Sequence, residues 1–329
     1  MIGLLAAVIL AAAPTPPGTT PVGTSWYVGD LDPGRLTALG TADAAHATGA
    51  ARSITLLDFG DPAAAPGSTG LPDRRGTASP GQTQAAVSAY ARGWLAAPAH
   101  PQLVLVVGTS NFGSHVDAAH GTAWGRLVEA TAAEVGPAVE VRGGVDAEPG
   151  YAGPVQTRAF VRGYLGATGQ AFVDFGDCAC TAGQALPGAW TMDDRVAVAA
   201  AGSLLPQVYR TSGIDARRWA TLDARARSVL GHPLRVLGAL TQTRACAGRA
   251  CTGIDLAPAL ARSSLGAALG RDIPVGTDIG YLSPPAPSQR RGGLLLPALG
   301  VVAVLAAAGT VGALLRRRRG LRHRSLRHR

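Results

Sequence analysis

Eight short runs of β-branched and apolar residues, separated by longer alanine-rich stretches with helical spacing, occupy the chain between Ser25 and Leu282. The runs are Trp26 to Leu31, Ile54 to Phe59, Leu103 to Thr109, Val139 to Glu148, Ala171 to Asp177, Leu204 to Arg210, Leu234 to Thr241 and Ile273 to Leu282. Between them, Pro33 to Gly49, Pro80 to Ala97, Ser114 to Val135, Pro154 to Thr168, Met192 to Ala201, Asp215 to Leu230 and Leu256 to Leu269 read as helices. Several open on Pro, Ser or Asp, which cap or remove the free N–H groups of a first turn. Continuous apolar runs such as Leu103 to Val107 suit strands covered on both faces, and parallel strands need the long crossovers that the helices supply.

Eight such units in residues 24–283 predict a (β/α)8, TIM-like barrel. The competing arrangement is an open doubly wound sheet, but no Gly-x-Gly-x-x-Gly turn follows the first strand to support a nucleotide site. After the eighth strand the chain runs directly into Ser283-Pro-Pro-Ala-Pro-Ser288, so the eighth helix is expected to be absent or replaced.

The flanks predict where this barrel works. Residues 294–315, LLLPALGVVAVLAAAGTVGALL, form an uncharged apolar run long enough to cross a bilayer as a helix. Residues 284–293 are a proline-rich linker before it, and Arg316 to Arg319 open an arginine-rich tail, 316–329, whose position marks it as cytoplasmic. Residues 1–17 resemble a signal peptide, although no basic residue precedes the apolar core. The expected product is a single-pass protein of the cell membrane with an extracellular barrel.

Charge supports this topology and argues against nucleic acid. The net charge of +9 comes from the tail, because ten of the 30 arginines lie from Arg290 onward, leaving 20 bases against 21 acids in the body. A nucleic-acid-binding domain carries its basic patch on a folded face. Cys178, Cys180, Cys246 and Cys251 are an even set, as expected of two disulfides in an oxidising compartment. Pairing within the two clusters and pairing between them are both open. No histidine stands beside either cluster, and no metal or other cofactor is expected.

In barrels of this type the reacting groups stand at the carboxyl ends of the strands. The sharpest feature there is Gly143-Gly-Val-Asp146-Ala-Glu148-Pro-Gly150. Residues two apart on a strand share a side, so both carboxylates face one place, and each raises the pKa of the other. Glu148 is the candidate general acid and Asp146 its support. The double glycine would form a bulge or admit a sugar ring. Asp58, Asn111, Tyr151, Asp174, Tyr209 and Gln242, at or near other strand ends, are candidate substrate-binding residues. Tyr151 and Trp190 are the candidate stacking rings.

With this segment the chain resembles secreted glycoside-hydrolase-type TIM barrels that end their fourth strand in an Asp-x-Glu pair, such as the lysozyme and chitinase groups. It resembles more closely a set of exported actinobacterial proteins with a Gly-x-x-Asp-x-Glu-Pro segment. The resemblance implies an acid/base role for Glu148, a supporting one for Asp146 and a cell-envelope polysaccharide as partner. The pattern departs from these groups where Thr241-Gln-Thr243 ends strand seven without a glutamate, so a second carboxylate would come from Asp30, Asp58, Asp61, Asp174, Asp177 or Asp278. The alternative reading is a catalytically silent barrel that binds a glycan or a protein at the cell surface.

Overall fold

The computed structural model describes residues 22–72, 76–247, 251, 254 and 256–283. The signal-like segment, the proline-rich linker, the apolar run 294–315 and the arginine tail lie outside the described residues. Among the described residues no helix is long and apolar enough to cross a membrane.

Strand and helix alternate from the start: β1 (Gly23–Val28), α1 (Pro33–His46), β2 (Arg52–Asp58), α2 (Pro80–Ala96), β3 (Gln102–Ser110) and α3 (Ala118–Val135). They continue as β4 (Val139–Asp146), α4 (Pro154–Ala167), β5 (Phe172–Asp174), α5 (Met192–Ala199), β6 (Ser203–Leu204) and α6 (Ile214–Leu230). β7 (Gly238–Thr241), α7 (Pro258–Leu269) and β8 (Val275–Leu282) complete the series. All eight strands are parallel, in the order β7-β8-β1-β2-β3-β4-β5-β6. The ends of this sheet meet through the bridges Leu204 to Val236 and Gln207 to Leu240, supported by Val208 N–H donating to Leu240 O at 2.9 Å. That meeting closes the sheet into the expected barrel.

Two apolar layers hold it together. Ile54, Leu56, Val104, Val106, Val173, Phe175, Leu205, Leu240 and Ile279 fill the barrel interior. Alternate residues on the same strands, among them Leu57, Leu105, Val107 and Val145, pack outward against the helices. The double glycine belongs to this packing. A Cβ on Gly143 would overlap the Tyr164 ring outside, and one on Gly144 would press on Val106 and Phe175 inside. The β3–β4 register runs unbroken from Leu103–Val139 to Ser110–Asp146, so the glycines make neither a bulge nor a sugar platform.

No helix follows β8 among the described residues. The outer face of β1 and β8 borders a cleft of about 470 Å³ whose walls include Trp26, Leu39, Ala42, His46 and Arg244. A further departure from the sequence expectation is a small antiparallel ribbon, Asp61–Pro62, Thr69–Gly70 and Thr77–Ala78, inserted between β2 and α2.

Candidate active site

The interior apolar layer gives way to polar side chains at the carboxyl end of the barrel. One step beyond Leu56, Leu205 and Ile279, on the same side of each strand, stand Asp58, Gln207 and Tyr281. On β4 the inward-facing Gly144 is followed on that side by Asp146 and then Glu148. Tyr27 joins them from β1, its ring 4.9 Å from that of Tyr281.

Gln207 links the two acids. Its Nε2 donates to Asp146 Oδ1 at 2.9 Å, and it also hydrogen-bonds Glu148. Burial pushes the Asp146 carboxyl well above its ordinary range, and the charges of Glu148, Asp58, Asp174 and Asp177 add to the effect. Glu148 is pushed up as well, by burial first and then by the charge of Asp177. Hydrogen bonds from Gln207 and Tyr151, and the charge of Arg195, pull it partly back. Asp58 is pushed up to about 7 by burial, against the N–H of Gly60 that donates to it at 2.9 Å. The mouth therefore gathers carboxyls that keep their protons to higher pH than free acids do.

Asn111 does not face this mouth. It is fully buried and grips the main chain of Glu148 from both sides: Oδ1 accepts from Glu148 N–H at 3.0 Å, and Nδ2 donates to Glu148 O at 3.2 Å and to Thr157 Oγ1 at 3.1 Å. Its backbone N–H donates to Asp146 O at 3.1 Å. A polar residue at a strand end reads from sequence as a substrate contact, but here its hydrogen bonds are spent on aiming the acid. Asp174 departs in the same way. It points outward, wholly buried, into an ion pair with the equally buried Arg195, whose guanidinium stacks over Trp219 at 5.0 Å. Asp278 also turns outward, accepting from Thr241 Oγ1 at 2.7 Å and from the N–H groups of Thr243 and Arg244. Asp30 is engaged by Arg35. Of the acids the sequence left open, Asp58 and Asp177 act electrostatically on the central pair, and Asp61 accepts from Ser110 Oγ at 2.6 Å.

The remaining expected contacts divide. Tyr151 hydrogen-bonds Glu148, is 39% exposed and meets the ring of Phe112, itself 49% exposed, edge to face at 5.1 Å. Tyr209 lies within the field of Asp146, Glu148, Asp177 and Tyr27. Gln242 is partly buried at the end of β7, where its carbonyl begins the turn Thr243–Cys246. Trp190 is 4% exposed, with its Nε1 donating to Ala152 O at 3.0 Å, so it holds the β4 loop and offers no face for stacking. Phe112, Tyr27, Tyr281 and Gln207 were not singled out in the sequence, although the alternation rule that marks Glu148 also marks Gln207 and Tyr281.

The cysteines pair within their clusters, Cys178 with Cys180 and Cys246 with Cys251, with Cα atoms 5.0 and 5.6 Å apart. The clusters follow β5 and β7, which are not neighbours in the barrel. His120 hydrogen-bonds Ser68 O at 3.0 Å, and Asp117 caps α3, so these two residues serve the local fold.

No protein-family model matches the chain, and no curated relative matches it. Among solved structures, a dihydrodipicolinate synthase from Rhodopseudomonas palustris is 13% identical over 68% of this chain and 64% of its own, with a TM-score of 0.39. The chain thus spans a little under two thirds of that enzyme. A GH113 β-1,4-mannanase is 11% identical over 79% of this chain and 87% of its own, with a TM-score of 0.41. Likenesses this distant bear on no function, and the barrel assignment rests on strand order and closure.

Proposed function

We propose that this chain is a glycoside-hydrolase-like barrel acting on a cell-envelope glycan, with Glu148 as general acid and Asp146 supporting it. The observation that carries the reading is the setting of Glu148: a carboxyl pushed upward at the barrel mouth, clamped by Asn111 and hydrogen-bonded by Gln207 and Tyr151. A carboxyl that holds its proton can hand it to a glycosidic oxygen as the C–O bond breaks. The exposed Phe112 and Tyr151 rings beside it offer apolar faces on which a sugar can stack. The apolar run 294–315 would hold the barrel at the outer surface of the membrane, where such a polymer lies.

The test is release of soluble sugar from peptidoglycan and a panel of polysaccharides by the full chain, beside Glu148→Gln and Asp146→Asn. Product is expected from the wild type, with none from Glu148→Gln and a reduced yield from Asp146→Asn. Glycan binding without product in all three proteins would leave a silent glycan-binding barrel instead.

A further inference from the structure

The mouth holds a second carboxylate whose position the β4–β5 register fixes. Gly143, Gly144 and Val145 pair with Phe172, Val173 and Asp174, and Phe175 N–H donates to Val145 O at 2.9 Å, so the register continues past the last paired residue. Carried forward one residue at a time, it sets Ala147 beside Gly176 and Glu148 beside Asp177. Gly176 bears this out: a Cβ there would overlap the main chain of Ala147, and only glycine lets the two loops lie this close. Phe175 points into the barrel, and the charge of Asp177, two residues on, is felt at both Glu148 and Asp146.

We propose that Asp177 is the nucleophile of this site, attacking the anomeric carbon while Glu148 protonates the departing oxygen. The assignment rests on the glycoside-hydrolase reading given above. Neighbouring parallel strands run about 4.7–4.9 Å apart. Carboxyls carried at adjacent positions of neighbouring strands can approach to the roughly 5–5.5 Å of pairs that act through a covalent intermediate, short of the roughly 6.5–9.5 Å that leaves room for an intervening water.

The surroundings suit a negative charge held in one place. Arg218 Nη1 lies 3.9 Å from Asp177 Oδ2 as a counter-charge, and Arg195 Nη2 donates to the Asp177 carbonyl at 3.5 Å. Directly after Asp177, the buried Cys178 and Cys180 are joined across Ala179, whose φ of 50° lies in the left-handed region. This small ring fixes the loop that carries the carboxylate. The charge of Asp177 also acts on Glu148 and pushes its carboxyl upward.

In the first step an Asp177 oxygen bonds to the anomeric carbon and the glycosidic C–O bond breaks. The electron pair passes to the leaving oxygen, which takes the proton of Glu148. Esterified, Asp177 no longer carries the charge that helps Glu148 keep a proton, so Glu148 is left as a base. In the second step water adds to the anomeric carbon, gives its proton to Glu148 and frees the Asp177 carboxylate. The product keeps the configuration of the substrate.

The experiment uses the full chain in detergent with the glycan panel, comparing wild type, Glu148→Gln and Asp177→Ala with and without sodium azide. The anomer of the product is read by NMR. Wild type is expected to give product of retained configuration. Asp177→Ala should lose about a thousand-fold in rate, and azide should restore turnover by forming a glycosyl azide of inverted configuration, which also shows that the variant is folded. Asp177→Ala within tenfold of wild type, or a wild-type product of inverted configuration, would overturn the assignment and leave the hydrolase reading standing. Absence of product from the wild type on every glycan would overturn the hydrolase reading and this assignment with it.

Discussion

At the scale of single residues, position on a strand decides whether a polar group serves the site or the fold. Asp146 and Glu148 were legible because residues two apart on a strand must share a side. Asn111 and Asp174 were misread as substrate contacts because a sequence shows that a residue ends a strand but not which way it turns. Each lies on the outward side of its strand, and burial there obliges a polar group to find protein partners, Glu148's main chain in one case and Arg195 in the other.

Asp58 lies on the inward side, and its displacement has a measurable consequence. Its carboxyl titrates near 3.8 when exposed and at about 7 in the fold, so the folded state binds the proton more tightly than the unfolded chain does. Stability from this group is therefore fully present below about pH 3.8 and is lost as pH rises through 7. Asp58→Asn removes the penalty while keeping an acceptor for Gly60 N–H. The variant is expected to be more stable than wild type at pH 8, by on the order of 3 kcal/mol, and to lose that advantage at pH 4. Thermal melts at the two pH values check this, and a variant less stable than wild type at pH 8 would contradict it.

At the scale of elements, helix starts were more legible than strand lengths. Pro33, Pro80, Pro154 and Met192 open helices where the sequence places them, because a proline in the first turn or a cap such as Thr191 with Asp194 is a local signal. Helix α3 begins at Ala118, after its cap Asp117, and not at Ser114. Strands β5 and β6 are shorter than their apolar runs suggest. Pro206 lacks an N–H for the ladder just after β6, and only the bridge at Gln207 continues the pairing.

Helix pairing was not legible at all. Helices α1 and α2 approach so closely that a methyl group on Gly93 would overlap Thr37 O, and one on Gly40 would overlap Tyr90 O. Thr41 Oγ1 donates to Gly93 O at 2.9 Å across the same contact. Gly93→Ala must push the helices apart, although alanine favours a helix. A loss of about 1–3 kcal/mol is expected in urea unfolding, and an unchanged midpoint would show that the helices do not touch at this glycine.

At the scale of the whole molecule, the barrel was legible because eight alternating units in one chain leave few ways to bury eight apolar strands. Closure between β6 and β7 was not, since it depends on two isolated bridges. The mouth was legible in its central pair and obscure around it. Asp177, Gln207, Phe112 and Tyr151 meet Glu148 or its loop only after four successive βα units have curled into one barrel. The account's central claim is that Glu148 gives a proton to a departing sugar oxygen.

The most direct measurement is the rate of Glu148→Gln, relative to wild type, on two substrates: a glycan cleaved by the wild type, and an aryl glycoside of the same sugar whose phenol leaves without needing a proton. The account predicts that the variant fails on the glycan and keeps most of its rate of bond cleavage on the aryl glycoside. Equal losses on both substrates would mean that Glu148 holds the site together without donating the proton, and would contradict it.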